Sequence, residues 1–189
     1  MKTFKKFVAD MLPVMAGILI ALMLNNVQEE RRNAQFVEKS LSAMKNEHAE
    51  NVAEIESALL FHKTFRDSLA SQIEDPQKNV LSILSRSGGF RAATVSSTSW
   101  DKLLGSKLDL VDYELISILT KIDENKDKLD EIMGRISEFG ERGMLVSTDQ
   151  TTKMLFMLTL TDLISWEEKS LEHYERFDAY MENAYGASS

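Results

Sequence analysis

The sequence predicts an all-α protein: an N-terminal transmembrane helix running into an up-down helical bundle of three long and two short helices. Three observations predict it. Helix breakers are scarce, with 8 Gly and 2 Pro in 189 residues, which argues against a loop-rich β-sandwich. Residues 11–24 read MLPVMAGILIALML, 14 apolar residues in a row. Beyond them, apolar residues recur every three or four positions over long stretches, the period of an amphipathic helix.

The amino end comes first. A run of 14 apolar residues suits a signal-peptide core, a buried helix or a short membrane span, and its flanks must decide. No pair of small residues at cleavage spacing follows it. The chain reads Leu-Met-Leu-Asn-Asn-Val-Gln-Glu-Glu instead, so an uncleaved signal anchor is expected. Extended to Val27, the segment has 17 residues, roughly 25 Å of helix against a hydrocarbon core of about 30 Å. Such a short span needs help at its ends. Residues 1–10 offer it as an interfacial basic segment. Phe4, Phe7, Val8 and Met11 share one helical face, and Lys2, Lys5 and Lys6 fall largely elsewhere, toward lipid headgroups. Pro13 would clash with the carbonyl of Ala9 in a helix begun at Lys2. A kink or break near Asp10 is therefore expected, with Asp10 capping a new helix.

Within the span, Gly17 and Ala21 make a small-xxx-small pair and Asn25 lies four residues on, a face suited to helix–helix packing in the membrane. Residues 1–26 carry a charge of +2 and residues 27–189 carry −10. The three lysines before the span nearly tie with Arg31, Arg32 and Lys39 after it. The expectation is a bacterial inner-membrane protein with its amino end in the cytoplasm and its acidic body in the periplasm. Membrane lipid is then a partner, and other membrane-protein subunits and a weak homo-oligomer through the anchor are expected. A net charge of −8 argues against nucleic acid.

The body, residues 28–186, is expected to form the bundle. No Gly or Pro interrupts residues 27–73. There Val37, Leu41, Met44, Val52, Ile55, Leu59, Phe65, Leu69 and Ile73 form one stripe. Asp75-Pro76 should end this helix. A short helix is expected within residues 77–85, then a loop over residues 86–97 holding Gly88-Gly89. Thr98 and Asp101 look like a capping box opening a short helix that Gly105 closes. Asp109 or Asp112 caps the next long helix, with the stripe Leu115, Leu119, Ile122, Leu129, Ile132, Met133, Ile136 and Phe139. Lys126 interrupts that stripe, as an exposed end or a buried ion pair. Gly140 and Gly143 close it. Ser147-x-x-Gln150 reads as a second capping box. The last helix opens with MLFMLTLTDLI at residues 154–164, apolar almost all round, so burial on several sides is expected.

Two stretches resemble a known family. GILIALMLNNVQEERRN (residues 17–33) followed by LSAMKNEHAEN (residues 41–51) is one. TSWDKLLGSKLDL (residues 98–110) with Tyr113-Glu114-Leu115 is the other. Together they cover roughly a quarter of the chain. They resemble a set of single-pass bacterial membrane proteins common in the Bacteroidetes, those with the domain of unknown function 6090. Val27 stands where that family has Trp, and Lys107 stands near its Gly. The resemblance implies a membrane-anchored helical domain and supplies no catalytic residue, cofactor or ligand.

The chemistry-bearing residues are few. There is no Cys, which removes thiol catalysis and thiolate metal sites. His48 and His62 lie on the stripe of the first long helix, about 21 Å apart along its axis, too far to share a metal. They are expected to be partly buried and hydrogen-bonded, as a polar seam or a switch. No Glu-x-x-His pair is present, and His173 directly follows Glu172, so di-iron spacing is missing. Acidic pairs such as Glu29-Glu30 and Glu167-Glu168 read as solvated faces. Trp100 reads as a buried wedge. The expected function is non-enzymatic: a scaffold or an accessory or assembly subunit of a membrane complex, with no cofactor. The alternatives are a periplasmic sensory or ligand-binding domain on a single-pass anchor, with His48 or His62 as its responsive element, and a membrane-tethered hydrolase. With only about ten residues before the span, a cytoplasmic output domain is not expected.

Overall fold

The structure is a computed structural model describing residues 2–105 and 107–185, with side chains from residue 11 onward. Five α-helices follow one another: α1 Lys2–Ser71, α2 Val80–Arg86, α3 Thr98–Leu104, α4 Tyr113–Glu141 and α5 Gln150–Tyr185. Single 3₁₀ turns at Leu108–Leu110 and Met144–Val146 precede α4 and α5. No strand occurs among the described residues. The chain divides into two compact units, Met1–Ser42 and Ala43–Ser189.

The first unit is helical throughout its described residues. The expected break near Asp10 is absent: Pro13 lies inside α1. A proline removes one backbone bond and crowds one carbonyl. The residues on either side are good helix formers, so the cost stays local and no new helix start is needed. Every described side chain from residue 11 to residue 32 is exposed. Leu12 is 62%, Ile18 56% and Leu24 66% exposed. The helix is long and apolar enough to cross a membrane, with a best-window mean hydropathy of 1.6. The lysines and the Phe4, Phe7 and Val8 face of residues 1–10 fall outside the described side chains, as do residues 186–189.

The second unit is a bundle built on a 3,4,3,4 spacing. The seam runs on α1 through the buried residues Met44, His48, Asn51, Ile55, Ala58, His62, Phe65 and Leu69, and on α5 through Lys153, Phe156, Leu160, Leu163, Glu167, Ser170, Tyr174 and Phe177; Leu59, Ile164 and His173 are buried beside it. This mean spacing of about 3.5 residues keeps one seam facing the partner helix. α1 and α5 are antiparallel, because Asn51 meets Tyr174 and His62 meets Glu167. α4 and α5 are also antiparallel, with Asn125 near Ser170 and Arg135 near Asp162. α1 and α4 therefore run the same way, and residues 72–112 carry the chain back between them. Leu69, Ile83, Ile132, Phe156 and Leu160 belong to one apolar cluster. Phe139 and Phe156 pack edge to face at 5.1 Å.

The helix ends show how local chemistry yields to packing. α1 stops at Ser71, short of Pro76, and Lys153 Nζ donates to the carbonyls of Gln72 (3.4 Å) and Asp75 (2.8 Å). Asn79 and Ser82 form a reciprocal capping box on α2. Asp112 caps α4 through Leu115 N–H at 2.9 Å. Gly143, at φ +67°, supplies the left-handed residue beyond α4. Three sequence expectations fail here. Thr98 and Asp101 form no capping box, since α3 starts one residue earlier, at a Ser97 cap that makes no side-chain cap bond. The cap on α5 is Asp149, which accepts from Thr152 N–H at 2.9 Å, and not Ser147. The apolar opening of α5 is buried on one side only: Met154, Leu155 and Leu158 are 40%, 47% and 54% exposed. Lys126 is a quarter exposed and 3.4 Å from Asp130, while its neighbour Asn125 takes the core position.

Candidate functional site

The polar residues of the bundle core form the candidate site. Glu47, His48 and Asn51 lie within one turn of α1 and so point the same way. Asn51 is buried and makes three bonds. Its Oδ1 accepts from Ser96 N–H at 2.9 Å, and its Nδ2 donates to Ser96 O at 2.8 Å and to Tyr174 Oη at 3.1 Å. One side-chain amide thus pairs with both polar groups of Ser96 and fastens the segment between α2 and α3 to α1. Glu47 completes the clasp. Its Oε2 accepts from Ser99 N–H at 2.8 Å, so a carboxylate on α1 caps the first turn of α3. That tertiary cap replaces the missing capping box. Burial would raise the Glu47 pKa, but hydrogen bonds from Ser96, Ser99 and Thr98 outweigh it and lower it below the usual carboxylate value.

His48 sits beside this clasp with its ring 3.8 Å from that of Phe177 and 4.7 Å from that of Tyr174. Burial pushes its pKa down from 6.5 to about 4, against a smaller opposing pull from Glu47. The imidazole is therefore neutral at pH 7. Burial likewise pushes the Tyr174 phenol up to about 12, the Asn51 bond only partly opposing it. The residues around His48 enclose a cavity of about 20 Å³.

His62 lies two heptads further on. It is wholly buried, and its Nδ1 lies 2.9 and 3.0 Å from the two carboxylate oxygens of Glu167, itself 1% exposed. One proton lies between the ring nitrogen and the carboxyl group, since two bare acceptors would repel at this distance. Phe90, from the loop after α2, covers the ring at 5.0 Å. Glu167 was expected on a solvated face with Glu168. The structure separates them: Glu168 pairs with Lys63 in the open, whereas Glu167 turns inward. Each histidine keeps one buried ring nitrogen without a protein partner, His48 Nδ1 and His62 Nε2; they differ in that the other nitrogen of His62 is held by a carboxylate.

The remaining candidates lie elsewhere. Gly17, Ala21 and Asn25 are exposed on the first unit, and nothing stands within 4 Å of where a Gly17 Cβ would be. Trp100 is buried. Among the described residues no group of three His, Asp or Glu is placed to hold a metal ion. A groove of about 790 Å³ runs between α4 and α5. Its charges largely pair within α4, Lys121 with Glu124 and Lys128 with Glu131, both at 2.6 Å, which makes it a solvated face.

Sequence reasoning missed Asn51, Glu167, Ser170 and Lys153 as core residues. The available signal was the strict 3,4 spacing, which places each of them on a seam position whatever its polarity. Compared with protein-family models, curated proteins and solved structures, the chain finds no match.

Proposed function

We propose that this chain is a membrane-anchored, non-enzymatic helical domain, a scaffold or an accessory or assembly subunit of a membrane complex. One observation carries the reading. Residues 11–24 are an unbroken apolar run with no side chain buried, while the buried hydrophobic residues among those described begin at Leu41. Such a segment serves no internal packing role, and a lipid environment removes its apolar surface from water. The resemblance to single-pass bacterial membrane proteins supports the same reading. The lysines before the span favour the inner membrane with the amino end inside and the body in the periplasm. Gly17, Ala21 and Asn25 offer a face for a weak homo-oligomer or another subunit's helix.

The bundle interior supports a binding or scaffolding role over catalysis. Its histidines and carboxylates are tied into structural contacts, and the cavity beside His48, at about 20 Å³, suits one water and not a substrate. A sensory domain would need a larger polar cavity than this.

Carbonate washing of membranes, then protease treatment of intact spheroplasts, tests placement. The chain should stay in the membrane pellet and its body should be digested from outside. Release into the wash would end the anchor reading, and full protection would reverse the orientation. Purification in mild detergent should bring down other membrane subunits in fixed ratio; a single species would overturn the accessory-subunit role.

A further inference from the structure

The cavity beside His48 is lined by Glu47 and His48 of α1, Ser96 and Ser97 of the loop, Trp100 of α3, and Asp123 and Lys126 among the residues of α4. Its volume of about 20 Å³ fits a single water. Two buried atoms of its lining, Glu47 Oε1 and His48 Nδ1, make no hydrogen bond to any protein group. Glu47 Oε1 belongs to a carboxylate whose other oxygen accepts from Ser99 N–H, so it is an acceptor. His48 is neutral, and one of its ring nitrogens bears the proton. In either tautomer His48 Nδ1 needs a partner, an acceptor if it bears the proton and a donor if it does not. Both residues line the same pocket, so one small molecule that donates to Glu47 Oε1 and can donate or accept at Nδ1 serves both. Lys126 on the cavity wall disfavours a second cation there.

We propose that one water molecule occupies this cavity and bridges the two groups, donating one O–H to Glu47 Oε1 and hydrogen-bonding His48 Nδ1. The water completes the clasp. It joins the carboxylate that caps α3 to a ring packed on Phe177 and Tyr174 of α5. The charged and titratable groups facing His48 are Glu47 from α1, Asp123 and Lys126 from α4 and Tyr174 from α5; the loop contributes only serines.

The full-length protein, ¹⁵N-labelled at histidine in detergent micelles, allows the test. Two-bond ¹H–¹⁵N correlation should show a neutral His48 ring from pH 8 down to pH 5. Rotating-frame cross-peaks should connect the His48 ring hydrogen next to Nδ1 to a long-lived water. Glu47→Leu should abolish the water cross-peak; Glu47→Gln, which keeps an acceptor and the shape, should retain it. The absence of a long-lived water signal in the wild-type protein, its persistence in Glu47→Leu, or a cross-peak that ammonium chloride displaces would each overturn the proposal.

Discussion

At the scale of single residues, the bundle interior holds polar groups set against specific partners from other elements. The His62–Glu167 pair is fully desolvated, so its two halves are unequal to lose. His62→Leu leaves a buried carboxyl group without its partner and should cost about 3–5 kcal/mol. Glu167→Leu leaves a buried ring with neither nitrogen partnered and should cost about 1–3 kcal/mol. The double variant removes both needs and should unfold within about 1 kcal/mol of the wild-type chain. Urea titration in detergent reads all three, and losses that simply add would show that the pair is uncoupled. His48 supplies a pH dependence. Its pKa in the folded chain, about 4, lies below the ordinary 6.5, so the unfolded chain takes up the proton first. Stability is full above pH 6.5 and falls as the pH drops toward 4, by roughly 3 kcal/mol over the window. His173 adds in the same direction, its pKa lowered by burial and then by Arg176, Lys169 and Lys121. Glu47 acts lower: its contribution is present above its ordinary 4.5 and is lost below it. Melting temperatures from pH 8 to pH 4 should fall, and His48→Leu should flatten the upper part of that fall.

At the scale of elements, helix positions were legible and helix ends were less so. α2, α4 and α5 lie where period and breakers place them, because a 3.6-residue repeat is a property of the local sequence. The caps of α3 and α5 were misassigned. Ser and Thr near a helix start compete with any other acceptor the fold delivers, and at α3 Glu47 arrives from 52 residues away. Pro13 shows the converse: a strong local signal was overridden because one lost bond is small beside a long run of good helix formers. The anchor face makes its own prediction. Gly17 has open space around it, so Gly17→Ile meets no clash within the chain. It should reduce crosslinked dimer in membranes, while a fragment of residues 34–189 stays monomeric in sedimentation. Tight dimerisation of that fragment would move the interface to the body.

At the scale of the whole molecule, composition and periodicity determined the all-α class, the single apolar segment near the amino end and the residues that line the seam. All of these depend on the order of polar and apolar side chains along the chain, which needs no knowledge of what packs against what. His48 and His62 were visible as seam positions for the same reason. Their difference was not, because it depends on which side chain of α5 stands opposite: Phe177 and Tyr174 for one, Glu167 for the other. The burial of Glu167 and Lys153 likewise came only from the fold. Register alone marks these charged residues as seam positions, but what makes their burial tolerable is the partner that another element brings, here the His62 ring and the carbonyls after α1. The one-sided burial of residues 154–164 belongs to the same class. An apolar run states how much surface can be buried, and only the number and placement of neighbouring helices decide how much is.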